Sequence, residues 1–252
     1  MTPLLSFAII SVAVFITSFI SGILGMAGGM ILMGVFLALM PVPAAMMLHG
    51  VAQLASNGWR AWLWRREIEW RVFRGNMVGS LLILGVFCAL QLVAGRAIVY
   101  IVLGLTPFVS FVLPPQLKLN VDKPYQPFVC GMVSTGLQLL SGVAGPILDV
   151  FFLQSKMSRH RVVATKASTQ TLAHLLKILY FGFLLGHDQG RVEWWLAGSM
   201  ILIAMAGTSA SRGVLEKMTD VNFRRWTRIT VTVIGLLYLC NGIALMMGWT
   251  KT

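Results

Sequence analysis

Four apolar runs long enough to cross a bilayer recur along this chain: Leu4–Leu24, Gly75–Gly95, Val162–Leu185 and Ile229–Gly248. A spanning helix takes about 20 mainly apolar residues. The runs therefore restrict the chain to a bundle of helices in lipid. Hydrophobic residues make up 57% of the sequence and charged residues 11%, and the mean hydropathy is +0.81. A soluble domain carries about 25% charged residues, and the period-two alternation of a membrane barrel is absent. The expected fold class is an all-α, polytopic membrane protein.

Two of the embedded segments carry the same polar face. His49, Gln53, Asn57 and Arg60 are followed, each 117 positions later, by Lys166, Gln170, His174 and Lys177. Steps of 4, 4 and 3 residues put all four side chains of each set on one side of a helix. Polar and ionisable groups are costly within a bilayer and mark pathways, pockets or interhelical hydrogen bonds. Two matched four-residue stripes favour a pocket for a polar solute over simple bundle adhesion.

The same offset relates two glycine breaks, Gly25-Met26-Ala27-Gly28-Gly29 and Gly142-Val143-Ala144-Gly145-Pro146. Ten helical segments are expected, at 4–24, 28–40, 43–64, 73–94, 97–113, 127–141, 145–154, 161–185, 192–211 and 228–248. The segments after each break are too short to cross straight. Segments one and two, and six and seven, read as hairpins that enter the membrane and return. Five segments per half invert the second half relative to the first, an arrangement common among transporters. The division is a first repeat at 1–113, a cytoplasmic linker at 114–127 and a second, inverted repeat at 128–252.

Loop charges orient this arrangement. The net charge is +12, from 20 Lys and Arg against 8 Asp and Glu. In a membrane protein such an excess gathers in cytoplasmic loops and calls for no nucleic-acid partner. Placing loop 65–74 inside puts Arg65, Arg66, Arg71, Arg74, Lys118, Lys123, Lys156, Arg159, Arg161, Arg212, Lys217, Arg224, Arg225 and Arg228 inside. That leaves Arg96, Arg191 and Lys251 outside, with Arg60, Lys166 and Lys177 embedded. The N-terminus is then outside. The first Lys or Arg is Arg60. A cleaved signal is not expected, since its charged leading region is lacking.

Candidate binding residues follow from chemistry. A helix N-terminus offers free N–H groups and a partial positive charge to an anion. This nominates Gly28, Gly29 and Gly145, with Pro146 tolerated in a first turn. The amides of Gln53, Asn57 and Gln170, and the imidazole of His174, donate hydrogen bonds to oxyanion oxygens. Arg60, Lys166 and Lys177 offset the anion's charge. Asp149, the one acidic residue well inside a segment, is a partner for Lys166, and with His174 a candidate for proton coupling. Cys88, Cys130 and Cys240 are isolated in apolar surroundings, so no disulfide, metal site or cofactor is expected. Nucleophile-elbow, metalloprotease and phosphate-loop motifs are all missing, which argues against an enzyme.

The glycine segment Gly22-Ile23-Leu24-Gly25-Met26-Ala27-Gly28-Gly29, its degenerate copy Ser141-Gly142-Val143-Ala144-Gly145-Pro146, and the polar helix after each resemble the TauE/SafE family of sulfite and organosulfonate exporters. The resemblance covers essentially the whole chain. The second copy departs from the family's run of glycines in having Ala144 before Gly145. The resemblance implies export of sulfite, thiosulfate or an organosulfonate across the bacterial inner membrane. The expected function is a secondary transporter working by alternating access, with the lipid bilayer and a small sulfur anion as its partners. An anion channel using the same residues is the alternative, and a membrane-embedded enzyme a weaker one. The sequence leaves homo-oligomerisation open.

Overall fold

The computed structural model describes residues 3–24, 26–109, 119–185, 193–211, 213–214 and 220–249. Ten α-helices and no strand occur among them: α1 (Pro3–Leu24), α2 (Met26–Leu39), α3 (Val42–Leu63), α4 (Trp70–Leu90), α5 (Arg96–Leu105), α6 (Gln126–Ser141), α7 (Gly145–Phe152), α8 (Arg159–Leu179), α9 (Trp194–Ala210) and α10 (Asp220–Met246). The chain is all-helical, as the apolar runs require.

Local chemistry sets the boundaries. Pro43 lies in the first turn of α3, Pro127 in that of α6 and Pro146 in that of α7, where a missing N–H costs little. Ser158 caps α8, its hydroxyl accepting from the Arg161 N–H at 3.4 Å. Gly142 ends α6 at φ +87°, a left-handed C-terminal position that glycine adopts without strain. Three expected helix starts need correction. Helix α4 begins at Trp70 rather than 73, so Arg71 lies in a helix and not in a loop. Helix α2 begins at Met26 rather than 28, so Gly28 and Gly29 lie inside its first turn. Helix α10 begins at Asp220 rather than 228, so Arg224, Arg225 and Arg228 belong to a helix and not to a loop. Arginine is a good helix former and its long stem reaches the interface from a helix end. All of the expected loop 186–191, with Lys118, Arg212, Lys217 and Lys251, lies outside the described residues.

The most extensive helix pairings join the two parts of the chain: α3 with α8, α4 with α6, α1 with α9 and α5 with α10. Helices α3 and α8 run antiparallel, with Gly50 against His174, Lys177 and Ile178, and Gly58 against Thr171. Helices α4 and α6 cross backbone to backbone. A Cβ at Gly131 would overlap the Asn76 carbonyl, and one at Gly79 the Phe128 carbonyl. Small residues permit such approach in a membrane bundle. Here it is reinforced by a hydrogen bond from Thr135 of α6 to Ser80 of α4 at 2.8 Å. In α2, Gly28 lies against Thr17 and Ser21 of α1.

The loops collect at two ends. At one, Arg71 donates to the Val121 and Asp122 carbonyls, Arg161 pairs with Glu69 at 3.0 Å, and Asn120 donates to the Gln154 carbonyl. Three of the segments expected on one side of the membrane therefore meet. At the other end Arg96 donates to the Met40 carbonyl at 3.1 Å.

Between the ends the outer surface is apolar, with Phe15, Ile16, Leu82, Leu202, Leu236 and Leu237 exposed. So much exposed apolar surface suits lipid and not water. Trp70–Leu90 and Arg225–Met246 are long and apolar enough to span a membrane on their own. Helices α3 and α8 are long enough, at 22 and 21 residues, but their polar stripes lower the hydropathy. A buried core of Met30, Leu32, Met33, Phe36, Met46 and Leu48 holds α2 against α3.

Candidate functional site

The polar stripes of α3 and α8 face each other, and because the helices are antiparallel they bring together opposite ends. His49 of the first stripe meets Lys177 of the second: Lys177 Nζ lies 2.7 Å from His49 Nδ1 and donates to the Gly142 carbonyl at 3.0 Å. His49 Nε2 lies 2.9 Å from the Gly29 carbonyl. A carbonyl only accepts, so His49 carries its proton on Nε2, and Nδ1 is free to accept from Lys177. The His174 ring lies 5.6 Å from that of His49, and His174 Nδ1 is 2.7 Å from Gln138 Nε2 on α6. His49, His174 and Lys177 are all buried, Lys177 completely.

The other ends of the stripes form a second cationic group. Arg60 is within electrostatic reach of Lys166, and Lys166 Nζ donates to Asp149 Oδ1 of α7. Arg60 Nη2 donates to the Ser21 carbonyl near the end of α1, at 3.3 Å. Lys177 treats Gly142, at the end of α6, in the same way. Both fourth stripe residues thus bind the negative C-terminal end of a helix that precedes a glycine break. This end is more open, with the Lys166 and Asp149 side chains 21% and 45% exposed.

Between the two cationic groups lies the amide layer. The Gln53 side chain rests against Gly29, whose Cβ, if present, would lie 3.4 Å from each of the Gln53 amide atoms. Asn57 Nδ2 donates to the Gln53 backbone carbonyl at 3.0 Å and to Oε1 at 3.3 Å. Gln53 Nε2 is buried and has no hydrogen-bond partner among the described residues. Buried donors are nearly always paired. This one sits against Gly29, in the first turn of α2.

The structure joins Gly29, His49, Gln53 and Asn57 on one side, and His174 and Lys177 beside them. Gly28 faces α1 rather than the stripe. Gln170 is half-buried, and its side chain forms no hydrogen bond among the described residues. Gly145 is buried at the first position of α7, three residues beyond the carbonyl that Lys177 holds. Sequence reading did not find Gln138 as the partner of His174, nor the Gly29 carbonyl as the acceptor for His49. The signal for Gln138 is its place on α6, 117 positions after Ser21, whose carbonyl Arg60 binds.

No group of three or more His, Cys, Asp or Glu that would hold a metal occurs among the described residues. No curated protein and no solved structure matches the chain. A family does: the match to "Sulfite exporter TauE/SafE" runs over residues 10–238, and the chain belongs to that family of membrane-integral transporters.

Proposed function

We propose that this protein is a secondary transporter that exports sulfite, or a related small sulfur anion such as thiosulfate or an organosulfonate, by alternating access. The carrying observation is the unpaired Gln53 Nε2 against the glycine-rich first turn of α2. A buried donor left open beside a helix start, where the dipole is positive, suits an oxyanion. In this reading Gly28, Gly29, Gln53 and Asn57 form the first half of the site, and Gly145, Gln170 and His174 the second. Arg60, Lys166 and Lys177 offset the anion's charge, and Asp149 balances Lys166 when the site is empty.

The helix pairings support two inverted repeats, 1–113 and 128–252, joined by the linker 114–127. Exchanging α1–α5 with α6–α10 leaves α3·α8 and α5·α10 unchanged and turns α4·α6 into α9·α1. The contacts of Gly28 with Thr17 and Ser21 support a hairpin of α1 and α2. Loop charge and the meeting of segments around Glu69, Asp122 and Arg161 support a cytoplasmic position for that end, an external N-terminus and residence in a bacterial inner membrane. An inside-negative potential favours anion exit by about 2.3 kcal/mol per charge per 100 mV.

Burial differs between the two ends. The His49–Lys177 end is sealed and the Lys166–Asp149 end is partly open. This favours a site exposed to one side at a time over an anion channel. The test is binding of sulfite, thiosulfate, an alkanesulfonate and sulfate to the purified protein, its Gln53→Ala variant and its Gln170→Ala variant. The expected result is saturable binding by wild type, weakened in both variants. Undiminished affinity in both would remove the amide layer from the site.

A further inference from the structure

Lys177 is a wholly buried cation-former whose hydrogen bonds account for only two N–H groups. Its Nζ meets His49 Nδ1 at 2.7 Å and the Gly142 carbonyl at 3.0 Å, and no carboxylate among the described residues pairs with it. An ammonium has three N–H donors and a neutral amine two. These partners therefore satisfy both N–H groups of the amine and leave an ammonium one donor short. Placing an unpaired charge at this depth is costly.

We infer that Lys177, held by His49 and the Gly142 carbonyl, is a proton-binding site linked to the anion site, so that one proton and one anion bind together. The proton comes from water and adds to the lone pair of Nζ, while the two existing N–H groups keep His49 Nδ1 and the Gly142 carbonyl. The third N–H so created points to an oxygen of the anion, which supplies the missing acceptor and the compensating charge. The inference rests on the reading of Gln53 and the first turn of α2 as the anion site. The link between the two is short: His49 and Gln53 are one helical turn apart on α3, and both meet Gly29, one through its carbonyl and the other by packing.

The titratable groups around Lys177 are few. From α3 it faces His49, and on its own helix His174, whose Nδ1 is held by Gln138. Helices α2 and α6 offer the carbonyls of Gly29 and Gly142 and the Gln138 amide. Tyr180, three residues further on, turns its hydroxyl to the Phe87 and Leu92 carbonyls. No Asp or Glu among the described residues competes for the proton.

Linkage is reciprocal. If the anion draws a proton to Lys177, lowering the pH must strengthen the anion, by up to tenfold per pH unit for one proton. A dianion then crosses with its charge reduced by one. Titration calorimetry with thiosulfate tests this, because thiosulfate itself does not titrate near neutral pH. Runs at one pH in buffers of different ionisation enthalpy count the protons taken up. Wild type is expected to take up close to one proton per anion. Lys177→Met should bind more weakly and take up none. Lys177→Arg, with a permanent charge, should bind with no proton uptake and with an affinity that does not follow pH. Thiosulfate binding by wild type without proton uptake would overturn the inference while leaving the anion site standing. Proton uptake in Lys177→Arg equal to that of wild type would overturn it as well. Absence of binding at every pH would instead overturn the anion-site reading, and this inference with it.

Discussion

Replacing Gln53 with methionine should raise stability and lower affinity at once. Gln53 is 4% exposed, its Nε2 has no partner among the described residues and its Oε1 accepts from Asn57 Nδ2 at 3.3 Å. An unpaired buried donor costs about 1–3 kcal/mol, and a neutral hydrogen bond stabilises by about 0.5–1.5 kcal/mol. Gln53→Met removes both. Asn57 keeps its 3.0 Å bond to the backbone carbonyl of residue 53, and methionine fills similar space with an adaptable chain. The balance runs from about 0.5 kcal/mol less stable to about 2.5 kcal/mol more stable, centred near 1 kcal/mol of gain. Binding moves the other way. A hydrogen bond to a charged acceptor contributes about 1.5–3 kcal/mol, so its loss should weaken anion binding about 10- to 150-fold. Thermal unfolding in detergent, with and without sulfite, reads both effects. A lower Tm with an unchanged Kd would refute the argument, because it would make Gln53 a packing residue.

Two further substitutions probe the frame. Gly131→Val places a side chain on the Asn76 carbonyl at the α4–α6 crossing. It should cost upwards of about 1–3 kcal/mol, seen as a lower Tm or loss of the monodisperse peak in size-exclusion chromatography. Asp149→Asn breaks a partly exposed ion pair with Lys166. It should change the unfolding free energy by less than about 1 kcal/mol, since solvent screens such pairs, and denaturant titration checks this.

Much of the architecture was legible because the bilayer leaves few choices. A length of apolar sequence must become a helix there, and proline and glycine set its ends. The stripes on α3 and α8 were legible for the same reason: a polar residue every three or four positions has only one geometric meaning on a helix. Partnerships across helices were harder. That His49 would meet Lys177 depends on the two helices running antiparallel, which loop charge implied. That His174 would meet Gln138 depends on how α6 is rotated about its axis, which no period in the sequence encodes. The start of α10 was misplaced because arginines at 224, 225 and 228 signal a loop by charge and a helix by propensity. The role of the Gly29 carbonyl was invisible, because sequence patterns report side chains and not the backbone groups that accept from them.

Counterflow in proteoliposomes is the most direct test of the central claim. Vesicles loaded with unlabelled sulfite or thiosulfate are diluted into the labelled anion, with the membrane potential clamped. Alternating access at a single site predicts a transient accumulation of label above equilibrium, saturable with concentration and strongly reduced in Gln53→Met. Label that only equilibrates, without overshoot, would contradict the account and assign the same residues to a channel.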